Sequence, residues 1–96
     1  MRILAIEVEK MKGRIEKSLL EEEAIRVYEL YKKGKIREIY FNKQDHTAII
    51  LFEVKDIHEA GNVIKTLPLV KSKYIDFKLM ELIPYSGYDR IFKQPA

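Results

Sequence analysis

The sequence predicts an α+β fold in which one antiparallel sheet of four strands is covered on one side by two helices. Segments with a period-2 apolar pattern alternate with segments of helical period, in the order β-α-β-β-α-β. The predicted strands are apolar on both faces. At 96 residues the chain forms one domain, residues 1–96, whose two helices suffice to cover one face of such a sheet.

The four strands are predicted from alternation and from the turn residues that bound them. They span Arg2–Glu9, Ile36–Asn42, Thr47–Lys55 and Ile75–Ile83. In the first strand, alternation separates two sets of side chains: Leu4, Ile6 and Val8 on one face, and Ile3, Ala5 and Glu7 on the other. A polar stretch, residues 43–46, joins the second and third strands as a hairpin.

The two helices are predicted from capping residues and apolar stripes. Ser18 has a glutamate three residues later, which is the pattern of a capping box, and Gly34 is suited to end the helix. The apolar stripe of this helix is expected to be Leu20, Ala24, Val27 and Tyr31. Asp56, again followed by a glutamate at the third position, begins a short helix that runs to about Thr66, ahead of Pro68.

This order of elements is typical of a ferredoxin-like sandwich with strand order 4-1-3-2 and both helices on one side. The fully apolar set of the third strand is expected to face the helices: Ala48, Ile50, Phe52 and Val54. The uncovered face would then hold Ile49, Leu51 and Glu53 beside Ile3, Ala5 and Glu7. Because soluble monomers avoid a large exposed apolar patch, we expect two sheets to pack face to face in a homodimer or a higher homo-oligomer.

Composition excludes several other classes of protein. The absence of cysteine removes disulfides, thiolate nucleophiles and cysteine metal sites, and the two histidines, His46 and His58, have no ligand spacing. The early Glu7 and the lack of an apolar run of about 20 residues indicate a cytoplasmic protein with no membrane partner. The net charge of +3 comes from intermixed acids and bases, so we expect no nucleic-acid partner. We expect no cofactor and no metal, and the many Lys and Glu residues favour a thermophilic source.

Part of the chain resembles a known family. The segments that carry this resemblance are Gly34–Arg37, Asp56–Ala60, Leu67–Leu69, Tyr74–Phe77 and Leu82–Pro84. They resemble muconolactone isomerase and, more closely, the small uncharacterised proteins grouped with it. The resemblance implies a dimeric α/β barrel, often assembled into decamers, and an enzyme that moves a double bond within a lactone bearing a carboxylate. The loop Lys10–Arg14 lacks the Asp-rich, Pro-containing character of the enzyme's loop, so no catalytic residue is carried over.

Strand directions gather candidate site residues at one end of the sheet: Glu7, Tyr40, Asn42, His46 and Asp76. A glutamate on an apolar open face would have its pKa raised by desolvation, which makes Glu7 a candidate base. Tyr40 is a candidate for orienting a substrate oxygen, and His46 for binding near neutral pH. The alternatives are that Glu7 pairs with a cation of a partner chain and that His46 is a solvated hairpin residue.

Two arginines are candidates for binding an anion. Arg37 would hold a carboxylate through two hydrogen bonds, or alternatively would form an ion pair with Glu38 or Glu53. Arg90 lies in a C-terminal tail, residues 85–96, whose aromatic residues are predicted to pack on a neighbouring subunit. In that position Arg90 would reach a pocket formed by two chains.

Two functions of different classes remain open from the sequence. The first is an isomerase or binder of a small acidic or lactone compound in a pocket at the dimer interface, with Glu7 and Tyr40 as catalytic candidates and Arg37, His46 and Arg90 as ligand-binding candidates. The alternative is a non-catalytic assembly or regulatory domain, whose sheet serves only for oligomerisation. A cavity lined by Glu7 and Tyr40 would favour the first, and a solidly packed barrel the second.

Overall fold

The computed structural model describes residues 1–92, which form one sheet of four strands with three of their four helices packed on one side. The elements in chain order are β1 (Arg2–Glu9), α1 (Lys17–Lys32), β2 (Ile36–Phe41), β3 (Ala48–Glu53), α2 (Ile57–Ile64), α3 (Pro68–Lys71), β4 (Ile75–Leu82) and α4 (Asp89–Phe92). Within residues 1–92, no helix is long and apolar enough to cross a membrane.

The sheet has the predicted topology. Its strand order is β2-β3-β1-β4, which is the predicted order 4-1-3-2 taken from the other edge, and all three pairings are antiparallel. The β3 residues expected beneath the helices are there, since Ile50 and Phe52 are buried and Ile49 and Leu51 lie on the opposite face. The α+β ferredoxin-like prediction is therefore confirmed.

The face that β1 turns toward the helices differs from the expectation. Ile3 is paired with Phe52 and Ala5 with Ile50, and all four side chains are buried. Because residues directly opposite each other share a face of the sheet, Ile3, Ala5 and Glu7 lie on the helix-covered face. The prediction that they occupy the open face is wrong.

The first helix also differs in detail from its prediction. Leu30 is the residue of α1 that is fully buried, whereas the predicted stripe residues Leu20 and Tyr31 are 46% and 56% exposed. The helix begins at Lys17 without a side-chain cap, so the capping box expected at Ser18 does not form. Val27 of the predicted stripe does pack against the core, so the buried face of α1 overlaps the predicted stripe only in part.

The other predicted helix ends are confirmed. The Asp56 side chain accepts a hydrogen bond from the Glu59 backbone N–H at 2.8 Å, and the Glu59 carboxylate accepts one from Lys55 N at 2.7 Å. Gly34 ends α1 with a φ of 78°, a left-handed conformation that glycine adopts without strain. Pro68 does not continue α2 but begins the separate helix α3.

The uncovered side of the sheet, called here the open face, is apolar at its centre. Its half-buried and exposed apolar side chains are Leu4, Ile6, Val8, Ile49, Leu51, Met80 and Leu82. Polar side chains lie toward its edges: Glu38 and Tyr40 on β2, and Asp76 and Lys78 on β4. Both faces of the sheet therefore carry apolar side chains, and the helices cover only one of them.

The C-terminal segment projects from this body. Its large apolar side chains, Ile83, Tyr85, Tyr88, Ile91 and Phe92, are 62–85% exposed. The radius of gyration is 16.5 Å, compared with about 12–13 Å for a compact chain of this length, and the longest dimension is 63 Å. Of the predicted tail, residues 93–96 lie outside the described residues.

Candidate functional site

One end of the sheet collects most of the residues predicted to form a site. Val8 is opposite Asp76, and Phe41 at the end of β2 is opposite Ala48 at the start of β3, next to the hairpin that contains His46. Glu7 belongs to this end, but Tyr40 lies on the open face and Glu7 on the helix-covered face. Within one chain the two residues therefore cannot line the same pocket, contrary to the prediction.

A second carboxylate, that of Glu23 on α1, lies near enough to Glu7 for the charge of Glu7 to raise the Glu23 pKa. The Oε1 atom of Glu7 accepts a hydrogen bond from Ala48 N at 3.0 Å, which ties its side chain to the start of β3. The Oε1 atom of Glu23 accepts one from Leu69 N at 3.0 Å, which ties α1 to α3. Both side chains are half-buried between the sheet and the helices.

Burial raises the pKa of the Glu23 carboxyl above its ordinary value of 4.5, because the charged form loses solvation there. The Leu69 N–H opposes this effect by stabilising the charge, and the nearby negative charge of Glu7 adds to it. Neighbouring carboxyl groups in different environments occur in sites that transfer protons.

Each carboxylate keeps one oxygen available. Within residues 1–92 neither Glu7 nor Glu23 forms an ion pair, and the Oε2 atom of each accepts no hydrogen bond. No fully buried side-chain N or O atom in that range lacks a partner, so the free oxygens remain accessible. A backbone N–H thus positions each carboxylate while its second oxygen can meet a substrate or water.

The raised pKa of Glu23 leads to a prediction for the pH dependence of stability. A carboxyl with a raised pKa favours the folded state most when protonated, below about pH 4.5, and its stabilising effect is lost as the pH rises through the folded-state pKa. Replacing Glu23 by Gln keeps an acceptor for Leu69 N and removes the charge. At pH 7 we expect the free energy of unfolding of Glu23→Gln to exceed that of the natural protein by about 0.3–1 kcal/mol, because solvent screens a partly exposed carboxylate.

Denaturant unfolding between pH 4 and pH 8 measures this difference. Glu22→Gln is the matched control, because Glu22 is an exposed neighbour on the same helix. The advantage of Glu23→Gln is expected to grow with pH, while Glu22→Gln follows the natural protein. If the free energy of unfolding changes with pH in the same way for all three proteins, the Glu23 environment does not favour the neutral form.

Tyr40 has a different partner on the open face. Its hydroxyl donates to the Glu38 carboxylate at 2.5 Å, and this hydrogen bond, together with the negative charge of Glu38, raises the pKa of the Tyr40 phenol. The pair is exposed in the single chain, at the edge of the apolar surface. It is a polar group positioned to meet whatever covers the open face.

The remaining predicted site residues are spread over the molecule. His46 adopts a φ of 61° in the hairpin, and its ring stacks on Phe41 with centroids 3.9 Å apart. Arg37 is exposed at an irregularity of β2 and forms no ion pair within residues 1–92, while Glu53 pairs with Arg2 at 3.5 Å. Arg90 lies in α4 of the projecting tail. Of these three, His46 lies at the sheet end that carries Glu7, and Arg37 and Arg90 do not.

Sequence reasoning missed Glu23. Its partner Leu69 is 46 residues away in the chain. A glutamate at the spacing of the buried face, between Leu19 and Leu30, was the available signal. Within the described residues, no group of three or more His, Cys, Asp or Glu side chains is arranged to hold a metal ion.

The fold defines the class of protein. The chain has a muconolactone isomerase-like α+β fold, with the sheet order and helix placement described above. No protein-family model matches the chain, and no curated protein matches its sequence.

Two solved structures show the likeness. The crystal structure of muconolactone isomerase superposes with a TM-score of 0.71 at 17% identity, covering 91% of this chain and 93% of that chain. The structure of 5-chloro-2-hydroxyhydroquinone dehydrochlorinase from Burkholderia phenoliruptrix, in complex with 2,5-dihydroxybenzoquinone, has a TM-score of 0.59 at 15% identity, covering 91% of this chain and 98% of that chain. At such identities the likeness establishes the fold, and function must be argued from the residues.

Proposed function

We propose that this protein is a homo-oligomeric, muconolactone isomerase-like isomerase that binds a small acidic or lactone compound and moves a proton on it. The observation that carries the proposal is the pair formed by Glu7 and Glu23, two half-buried carboxylates that have no cation partner within residues 1–92. Each is held by a backbone N–H and has a free oxygen. The fold shared with muconolactone isomerase supports the choice of substrate class.

The pair fits the chemistry of a double-bond shift. A base removes a proton from a carbon conjugated with the lactone carbonyl, the electron pair moves into the conjugated system, and a proton returns to a different carbon. No other reactant is consumed. Burial raises the pKa of Glu23, and Glu7, whose second oxygen accepts no hydrogen bond, is assigned the role of base.

The open face supports the oligomeric part of the proposal. Its apolar centre would be covered when two copies pair sheet to sheet, as in a dimeric barrel. The proposed pocket opens at the end of the sheet that carries Glu7, on its helix-covered side, while Tyr40 and Glu38 lie across the sheet at the proposed dimer interface. The exposed apolar tail is proposed to pack on a neighbouring subunit and to bring Arg90 toward such a pocket.

The test is proton exchange on muconolactone in deuterated water. The protein is incubated with muconolactone, and NMR spectroscopy follows both deuterium incorporation beside the carbonyl and formation of the shifted double bond. We expect both to exceed the rate without protein, and deuterium incorporation would be detected even if the equilibrium favours the starting lactone. If neither exchange nor conversion is detected at high protein concentration, that result would contradict isomerase chemistry on this substrate class.

A second candidate is a non-catalytic assembly domain, which the apolar open face also favours. Both candidates predict an oligomer, so the oligomeric state does not separate them. Ligand binding does, because an assembly domain leaves the carboxylate pair without a substrate.

A further inference from the structure

A cleft next to the carboxylate pair has the composition of a site for a small organic anion. It has a volume of about 440 Å3, within the range of small-molecule sites, and it opens where β1 ends and β4 begins. Its lining residues are Lys10, Met11, Val70, Lys73, Ile75 and Asp76. The lining of this open cleft thus includes three apolar residues and two lysines.

Backbone hydrogen bonds hold this cleft in place. Tyr74 O accepts from Lys10 N at 2.9 Å and from Met11 N at 3.2 Å, which joins the chain after β1 to the chain before β4. Tyr74 N in turn donates to Leu69 O at 3.0 Å, and Lys73 N to Val70 O at 3.0 Å, which anchors the same turn to α3. The positions of the two lysines therefore depend on main-chain contacts, which side-chain substitutions leave intact.

Lys73 occupies a backbone position that ordinarily favours glycine. Its φ is 64°, in the left-handed region, at the turn that follows α3. At such turns glycine is the usual residue because it lacks a Cβ. A lysine at this position places a charged side chain at the cleft where glycine would place none.

Both lysines are available for a ligand. Within residues 1–92 neither Lys10 nor Lys73 forms an ion pair, in contrast to Lys35, whose ammonium lies 2.7 Å from Glu59. The Asp76 carboxylate accepts a hydrogen bond from Phe77 N at 2.8 Å, so one of its oxygens is already occupied. With two ammonium groups and one carboxylate, the cleft has an excess of one positive charge.

The cleft adjoins the carboxylate pair through shared elements. Glu23 accepts a hydrogen bond from Leu69 N, and the next residue, Val70, lines the cleft. Glu7 is opposite Phe77 on the helix-covered face, and Ile75, two residues before, lies on the same face and lines the cleft. A small compound bound at the lysines would therefore lie on the same strands and helix that position the two carboxylates.

We propose that this cleft binds the carboxylate of a small organic acid through Lys10 and Lys73, with the apolar part of the compound against Met11, Val70 and Ile75. The binding site is argued from the cleft itself, but the claim that the bound acid is a substrate rests on the proposed function. Lys10 and Lys73 hold the substrate at a distance from the atoms that react, and so determine specificity for an acidic compound.

The experiment titrates benzoate, a ring with one carboxylate, into 15N-labelled protein, with benzyl alcohol as the neutral analogue. We expect benzoate to shift the amide signals of Lys10, Met11 and Lys73, and benzyl alcohol to leave them unchanged. The double variant Lys10→Met/Lys73→Gly should weaken benzoate binding at least tenfold. Glycine suits the left-handed position, so this variant is expected to fold.

A control double variant removes the same charge nearby. Lys65→Met/Lys71→Met is expected to bind benzoate within twofold of the natural protein, because neither residue lines the cleft. Equal weakening in the two double variants, or equal shifts from benzyl alcohol, would overturn the assignment.

The muconolactone assay separates this inference from the proposed function. If benzoate maps to the cleft but muconolactone shows no exchange, the isomerase function fails and the anion site stands. If muconolactone is converted and Lys10→Met/Lys73→Gly leaves its KM unchanged, the function stands and the anion site is overturned. A KM raised at least tenfold with a smaller change in kcat would support both.

Discussion

Replacing Glu7 by Gln is expected to lower the rate of proton exchange on muconolactone by about 100- to 10,000-fold, the usual contribution of a general base. Glutamine retains a carbonyl oxygen that can accept the hydrogen bond from Ala48 N, now at 3.0 Å, so the strand end should keep its structure. The variant loses only the ability to take a proton. The measurement is deuterium incorporation by NMR spectroscopy at saturating muconolactone, with thermal unfolding as the check on folding.

Glu81→Gln is the matched control for Glu7→Gln. Glu81 lies on the same face of the sheet, opposite Ile3 at the far end, and is exposed. It should keep full activity. If Glu7→Gln retains activity within a few-fold while folded, Glu7 is not the base, and Glu23 alone would have to carry the proton transfer.

Placing a charge at the centre of the open face is expected to dissociate the oligomer. Ile49 pairs with Ile6 on one side and with Tyr40 on the other, in the middle of the uncovered apolar surface. In a face-to-face dimer, Ile49→Lys would put two like charges close to the twofold axis, at a cost of several kcal/mol. We therefore expect the dimer dissociation constant to rise at least about 100-fold.

Sedimentation equilibrium or light scattering with size-exclusion chromatography measures the change, and circular dichroism confirms the fold. Ile25→Lys makes the same substitution at a residue of α1 that is 62% exposed. The dimer should survive that change. Dissociation by Ile25→Lys with none by Ile49→Lys would place the interface on the outer surface of α1, and a monomeric natural protein would refute the pairing of open faces.

Local rules predicted much of the fold correctly. Alternation located all four strands, and the capping pattern at Asp56 and the glycine at position 34 marked helix ends that the structure confirms. These features depend on residues close together in the chain. The order of elements then restricted the sheet to one topology, which is also observed.

The candidate site was only partly predictable. Strand direction predicted that Glu7, His46 and Asp76 lie at the same end of the sheet, because the end of one antiparallel strand lies beside the start of its neighbour. That Glu7 lies near Glu23 depends on the packing of α1 and α3 over the sheet, which involves Leu69, 46 residues from Glu23. The stripe predicted for α1 was partly wrong for the same reason: several faces of that helix carry apolar residues, and contact with the core selects Leu30 over Tyr31 while keeping Val27.

The sequence by itself determined the class of fold, the strand order and the presence of apolar side chains on both faces of the sheet. Period-2 alternation states which residues share a face, but both sets of β1 are apolar, so it does not state which set meets the helices. Only the register with β3, which brings Ile3 to Phe52 and Ala5 to Ile50 in the buried layer, decided that. That register places Glu7 on the helix-covered face with Glu23 and not on the open face. Side chains alternate along a strand, so fixing the face of Ile3 and Ala5 also fixes the face of Glu7.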